Sequence, residues 1–176
     1  MALSHSSAPF LIVSLLLISV TLISVKANLI DDICSKTQKN DVCLSVLRED
    51  PRSKDSNLED LMTIAIDLSQ KHTQYMRNLV AMLFNKEANS TIKTRYSLCW
   101  ENYNDAISNL GYLPELLKSK DYEGLNMHAS AALSYPSKCD DNFSELPVEP
   151  VQLKVANENL RELIDIILVI NKLLKG

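Results

Sequence analysis

NLEDLMTIAIDLSQKHTQYMRNLVAMLF, residues 57–84, holds neither glycine nor proline, and its apolar positions Leu58, Leu61, Ala65, Leu68, Tyr75, Leu79 and Met82 return every three or four residues. Only a helix keeps that spacing on one side. Ser56 with Glu59 three residues on forms a capping-box pattern where the stripe begins, and the helix is predicted to end near Phe84. The absence of both helix breakers extends from Pro51 to Gly111. A second stripe therefore follows a polar joint at residues 86–90: Ile92, Tyr96, Cys99, Tyr103, Ile107, Leu110, Leu113 and Leu117. Gly111 and Pro114 are expected to bend this second helix, because proline removes the hydrogen bond to the carbonyl four residues back.

Working outward, a third helical segment is predicted over 121–134, with Tyr122, Leu125, Ala129 and Ala132 inward. A loop holding Pro136, Cys139, Pro147 and Pro150 separates it from a last helix. That helix turns Leu153, Ala156, Leu160, Leu163, Ile167, Ile170 and Leu174 inward, and Lys172 and Lys175 suit the negative end of its dipole. Four helices with one apolar stripe each make an all-α, antiparallel four-helix bundle. Ahead of it, residues 28–50 read as a short helical hairpin, in which Ile30, Ile33, Leu44, Val46 and Leu47 flank a polar turn at 36–41.

The stretch from Ser6 to Val25 carries no formal charge, and its apolar core runs through 10–13 and 15–18. With small residues at Val25 and Ala27, it reads as a signal peptide over 1–27, cleaved after Ala27. The domain is then 28–176, with the hairpin at 28–50 and the bundle at 51–176. Cys34, Cys43, Cys99 and Cys139 form an even set behind an export signal, which reads as a disulfide framework. Of three possible pairings, Cys34 with Cys43 closes a hairpin whose arms are already neighbours. Cys99 with Cys139 then ties the second bundle helix to the loop after the third.

The formal net charge is −4, so no nucleic-acid partner is expected. Nothing in the sequence calls for a membrane once the signal is removed. Only His72 and His128 lie beyond the signal, and they do not sit at metal-ligand spacing. Both are read as packed, hydrogen-bonded histidines. Neither a glycine-rich phosphate loop nor a nucleophile elbow is present. Four bonded cysteines leave no thiol nucleophile. No catalytic residue, cofactor or metal is expected.

Two surface features remain. Projected at 100° per residue, Glu101, Asp105, Ser108 and Tyr112 share one side of the second bundle helix, roughly opposite Cys99 and Tyr103. On spacing alone they form a solvated helix face. Asn89-Ser90-Thr91 and Asn142-Phe143-Ser144 are glycosylation sequons, both in segments predicted as loops.

At this point a resemblance emerges. Ile33-Cys34-Ser35-Lys36-Thr37, Asp41-Val42-Cys43-Leu44 and Asp50-Pro51-Arg52-Ser53 closely resemble the opening of the plant invertase and pectin methylesterase inhibitor family. In order there follow Cys99 with Glu101-Asn102-Tyr103 and Asp105-Ala106-Ile107, then Asp121-Tyr122, Ser130-Ala131-Ala132-Leu133, Cys139, Phe143 and the run 163–170. The likeness spans essentially all of 28–176. It implies a hairpin before a four-helix bundle, the same two disulfide pairs, and a non-catalytic inhibitor of cell-wall or vacuolar carbohydrate enzymes.

Within the family, invertase inhibitors can carry a Pro-Lys-Phe element between the second and third bundle helices. Here that connection reads Lys118-Ser119-Lys120-Asp121-Tyr122-Glu123-Gly124, without it. The connection, the Glu-Asn-Tyr after Cys99 and the carboxyl-terminal run look more like the pectin methylesterase branch, although Lys138 stands where that branch often has threonine. The expected function is therefore a protein secreted to the apoplast that binds a pectin methylesterase as a monomer, 1:1, and covers its polysaccharide cleft. Glu101 and Asp105 are assigned to the contact by resemblance, Ser108 and Tyr112 by helical geometry. The alternative within the family is acid invertase as target; outside it, an extracellular signalling or ligand-binding bundle.

Overall fold

Four long helices form where the apolar spacing places them, and a short helical pair precedes them. The computed structural model describes residues 29–176, so the signal expected at 1–27 lies outside the described residues. Helix α1 covers positions 29–34 and turns into α2, Asn40–Glu49. A 3₁₀ turn, Pro51–Asp55, leads into α3, Leu58–Lys86; α4, Ser90–Lys118; α5, Tyr122–Asp141; and α6, Val151–Lys175. Helix α3 packs on α4 and α6, and so does α5. The bundle is thus a ring in chain order, with α4 diagonal to α6.

The capping box lies one residue beyond Ser56 and Glu59. Asn57 accepts from the Asp60 N–H, and Asp60 accepts from the Asn57 N–H, both at 3.0 Å. Ser56 is already committed: its hydroxyl donates to the Arg52 carbonyl at 2.6 Å and closes the preceding turn. The inward face of α3 also differs from the expected stripe. It keeps Leu61, Ala65 and Leu79 and adds Met62, Ile64, Ile66, Ser69, Thr73, Met76 and Val80. Tyr75 and Met82 are 55% and 44% exposed. Ser69 and Thr73 can occupy the core because their hydroxyls donate to the carbonyls of Ala65 and Ser69, at 2.8 and 2.7 Å.

The third bundle helix is longer than expected. It continues past Ser134 through Pro136 to Asp141, so Cys139 lies on a helix and not in a loop. Pro136 and Cys139 are both buried, and their packing offsets the hydrogen bond that proline forfeits. The Cys99–Cys139 bond therefore joins two helices, with Cα atoms 4.7 Å apart. Cys34–Cys43 joins α1 to α2 at 5.4 Å. Pro114 likewise stays inside α4. Asp121 caps α5 by accepting from the Gly124 N–H at 2.9 Å, and a Cβ on Gly124 would come within 2.5 Å of that carboxylate.

Helix α6 is buried around most of its circumference because it is covered twice. Leu153, Leu160, Ile164 and Ile167 are buried in the bundle core, while the α1–α2 pair docks beside Glu162 and Asp165. There the Gln38 N–H donates to Asp165 at 2.9 Å, the Lys39 N–H to Glu162 at 3.1 Å, and the Lys39 ammonium to Glu158 at 2.9 Å. Carboxylates beside the start of α2 suit the positive end of its dipole.

Candidate functional site

Residues 96–117 of α4 contain Glu101, Asp105 and Glu115 but no lysine or arginine. The apolar spacing turns Tyr96, Cys99, Tyr103, Ala106, Leu110 and Leu113 into the core, and by the same periodicity turns the acidic residues out. Glu101, Asp105, Ser108 and Tyr112 all lie on the exposed side, so the structure brings the four sequence-derived residues onto one outward strip. Among the described residues, neither Glu101 nor Asp105 enters an ion pair. Their charge faces solvent and is available to a positively charged partner surface.

The strip is held firmly from below. Tyr103 donates to the buried Asn157 amide oxygen at 2.8 Å and lies 3.1 Å from Cys139 Sγ. Burial pushes its phenol well above the ordinary value. On the α5 side, the rings of Tyr112 and His128 lie 4.6 Å apart, and His128 Nδ1 is 3.0 Å from the Asn109 amide oxygen. Tyr112, at 58% exposure, is therefore both outward and steered by its neighbour. His72 lies away from this strip. It donates to the Ala156 carbonyl at 2.9 Å, and burial lowers its pKa.

The two sequons flank helices. Asn89 is the exposed N-cap of α4, and its side-chain oxygen accepts from Thr91 and Ile92 at 2.9 and 3.2 Å. Asn142 is the half-buried C-cap of α5, with its amide nitrogen 4.0 Å from Cys99 Sγ. Trp100, the chain's one tryptophan, is 44% exposed beside the strip and was not singled out by the sequence reading. The signal that could have found it is a large aromatic standing off the apolar stripe. A polar cluster in which Asp140, Glu149 and Arg161, all half-buried, gather around the buried Tyr103 and Asn157 also escaped that reading, because its members come from four separate stretches of sequence.

Among the described residues, no three His, Cys, Asp or Glu side chains gather as a metal site. No described helix is long and apolar enough to cross a membrane.

The family model for plant invertase/pectin methylesterase inhibitors matches residues 28–170. A pectinesterase inhibitor of Actinidia deliciosa is 41% identical over 184 aligned positions, covering 100% of this chain and 99% of its own. A cell wall/vacuolar inhibitor of fructosidase from Arabidopsis thaliana is 27% identical, covering 89% of this chain and 91% of its own. The crystal structure of a mutant pectin methylesterase inhibitor from Arabidopsis matches with a TM-score of 0.73 at 28% identity, covering 80% and 93% of the two chains.

Proposed function

The chain belongs to the plant invertase/pectin methylesterase inhibitor family, and from that premise we propose that it is a secreted, non-catalytic inhibitor of a pectin methylesterase. The observation that carries the choice of target is the 41% identity, end to end, with a pectinesterase inhibitor, against 27% for the inhibitor of fructosidase. The cation-free strip of α4 supports the mode of action. It offers Glu101 and Asp105, four residues apart on one face, to the basic and hydrogen-bonding groups expected in a groove built for an acidic polysaccharide.

On this reading the protein acts as a plug. A monomer binds one enzyme through Glu101, Asp105, Ser108 and Tyr112 and excludes pectin from the cleft, burying roughly 1,200 to 2,000 Å² in total. The disulfide beneath the strip fixes α4 against α5 before binding, so little ordering entropy is lost on association. The leader over 1–27 is removed after Ala27, and the domain 28–176 is released to the apoplast. Asn89 is an accessible glycan acceptor.

Titrating the purified protein into a pectin methylesterase and, in parallel, into an acid invertase tests the proposal. Loss of esterase activity with a break at one inhibitor per enzyme is expected, with the invertase unaffected. Invertase inhibition without esterase inhibition would reverse the choice of target. Inhibition of neither would remove the function.

A further inference from the structure

The connection between α5 and α6, residues 142–150, is fastened at two places. Arg95 of α4 donates to the backbone carbonyls of Glu145 at 2.8 Å and Pro147 at 3.0 Å, and lies 3.4 Å from that of Leu146. Its guanidinium also stands over the Phe143 ring at 5.6 Å. This fastener carries a charge that does not change in the accessible pH range. The second is Glu149, two residues before α6 begins, and its surroundings are of a different kind.

The side-chain nitrogen of Asn157, a residue of α6 with no solvent exposure, donates both to Glu149 at 3.0 Å and to Asp140 at 2.5 Å. Two carboxyl groups from the two ends of the connection thus meet on one buried amide. Other titratable and charged groups face them from each packed element. Tyr103 and Tyr96 stand on the α4 side, and Arg161 and Lys154 on the α6 side. Arg161 donates to the far oxygen of Asp140 at 2.6 Å, so the one guanidinium in contact is spent on Asp140. Lys154 acts on Glu149 only at a distance. Two adjacent carboxylates with a single cation between them are stable when one proton is retained.

We propose that Glu149 keeps a proton where it meets Asp140 over Asn157 and so forms an acid-fastened latch, which holds the α5–α6 connection against the bundle and lets it go when the proton leaves. The direction agrees with the chemistry of the site: burial first, then the Asp140 charge and a hydrogen bond with Asp140, push Glu149 up to about 7. The sign follows. A carboxyl whose folded value lies above its unfolded one near 4.5 makes the fold hold more protons than the unfolded chain between the two values. Its stabilisation is complete below the lower value and is lost as pH rises through the upper one. Because Arg95 holds 145–147 independently, release begins at 148–153 and includes the first turn of α6, not the whole connection.

The latch can be tested on the inhibitor alone, whatever its target. Carbon-13 titration of the Glu149 carboxyl in the wild-type protein should give a midpoint near neutrality; a midpoint at the ordinary glutamate value would overturn the proposal. Amide exchange at Leu153 and Lys154, whose N–H groups bond to the Pro150 carbonyl at 2.9 and 3.1 Å, corrected for intrinsic rate, should become at least about tenfold faster between pH 5.5 and 8, while α3 stays unchanged. In Glu149→Gln, which keeps an acceptor for Asn157 but cannot ionise, exchange should remain slow at both pH values. An unaltered pH response in that variant would also overturn the proposal. Should Glu149→Gln fold poorly, Asp140→Asn supplies the second arm: with its partner charge gone, the Glu149 midpoint should fall by a pH unit or more, and an unmoved midpoint counts against the latch.

Discussion

Gln70 donates from α3 to the carbonyl of Leu110 at 2.9 Å, and Leu110 stands four residues before Pro114 in α4. The helix carbonyl that proline leaves without a donor is thus satisfied from the neighbouring helix. This is how α4 carries a proline without ending there. The expected outcome is a coupled pair. Gln70→Leu should lower the free energy of unfolding by about 1–2 kcal/mol. In a Pro114→Ala background, where residue 114 again has an N–H to give, the same change should cost less than half as much. Equal losses in the two backgrounds, measured by urea titration as a double-mutant cycle, would contradict this account.

Charge reversal at Glu101 and Asp105 separates recognition from folding. Both side chains are exposed and unpaired among the described residues. The double variant Glu101→Lys with Asp105→Lys should weaken inhibition of a pectin methylesterase by about 10- to 100-fold, chiefly through slower association. Its thermal midpoint should stay within a few degrees of wild type. Unchanged inhibition would exclude these residues from the contact.

Lys120 is the one described non-glycine residue at positive φ, 58°. It occupies the left-handed position that ends α4, where the Asp121 N–H reaches the Leu116 carbonyl at 2.9 Å and the Lys120 N–H reaches Leu117 at 3.0 Å. Lys120→Gly should therefore stabilise the protein by about 0.5–1 kcal/mol, less a small amount for its loose 3.7 Å pairing with the exposed Glu59. Chemical denaturation will show an upward shift in midpoint if the backbone argument is right, and a downward one if the ion pair outweighs it.

Asn89 and Asn142 should behave differently as glycan acceptors. The oxygen of Asn89 is engaged in capping, while its nitrogen makes no hydrogen bond among the described residues and faces solvent, so a sugar can be carried without uncapping α4. Asn142 is half-buried against the Cys99–Cys139 staple. Peptide mass mapping of material from a secretory host, after enzymatic deglycosylation in oxygen-18 water, is expected to mark Asn89 and not Asn142. Loss of the cap in Asn89→Ala should cost about 1 kcal/mol.

Acid stability gives a fifth test. Arg52 is hydrogen-bonded to Asp50 and to Asp67, at 2.6 and 2.8 Å. Its guanidinium beside Asp50 holds that carboxyl down at about 2, against an ordinary 3.8. The stabilisation from a lowered carboxyl is present above its unfolded value and is lost as pH falls through the folded one. Arg52→Met should therefore lower the thermal midpoint at neutral pH and flatten its decline between about pH 4 and 2, so that variant and wild type converge in acid. An unchanged acid limb would mean that the ion pair contributes nothing measurable.

The helices and the staples were legible because their signals are periodic or countable: the three-and-four spacing from Leu58 to Leu79, the apolar return in 153–170, and four cysteines of which two bracket one turn. Where the reading went astray, a polar side chain had taken an unexpected role. Ser69 and Thr73 point into the core by bonding to their own helix, so a stripe counted on hydrophobic letters drifts outward to Tyr75 and Met82. Ser56 closes one turn and cedes the cap of the next to Asn57. Pro136 was read as a terminator because a proline's lost hydrogen bond is visible in sequence, whereas the burial that offsets it is not. The outward strip on α4 followed from angle alone. The Glu149 latch could not, since Tyr103, Asp140, Glu149 and Asn157 meet only after the ring of helices has closed.

Helix α4 is capped at its start by Asn89, propped in mid-course by Gln70 and riveted underneath through Cys99. None of these supports uses position 101, 105, 108 or 112. Substitutions at 101, 105, 108 and 112 can thus accumulate without disturbing what keeps the rod straight and seated, and a lineage built on this frame is free to exchange one quarry for another by redecorating a single exposed edge.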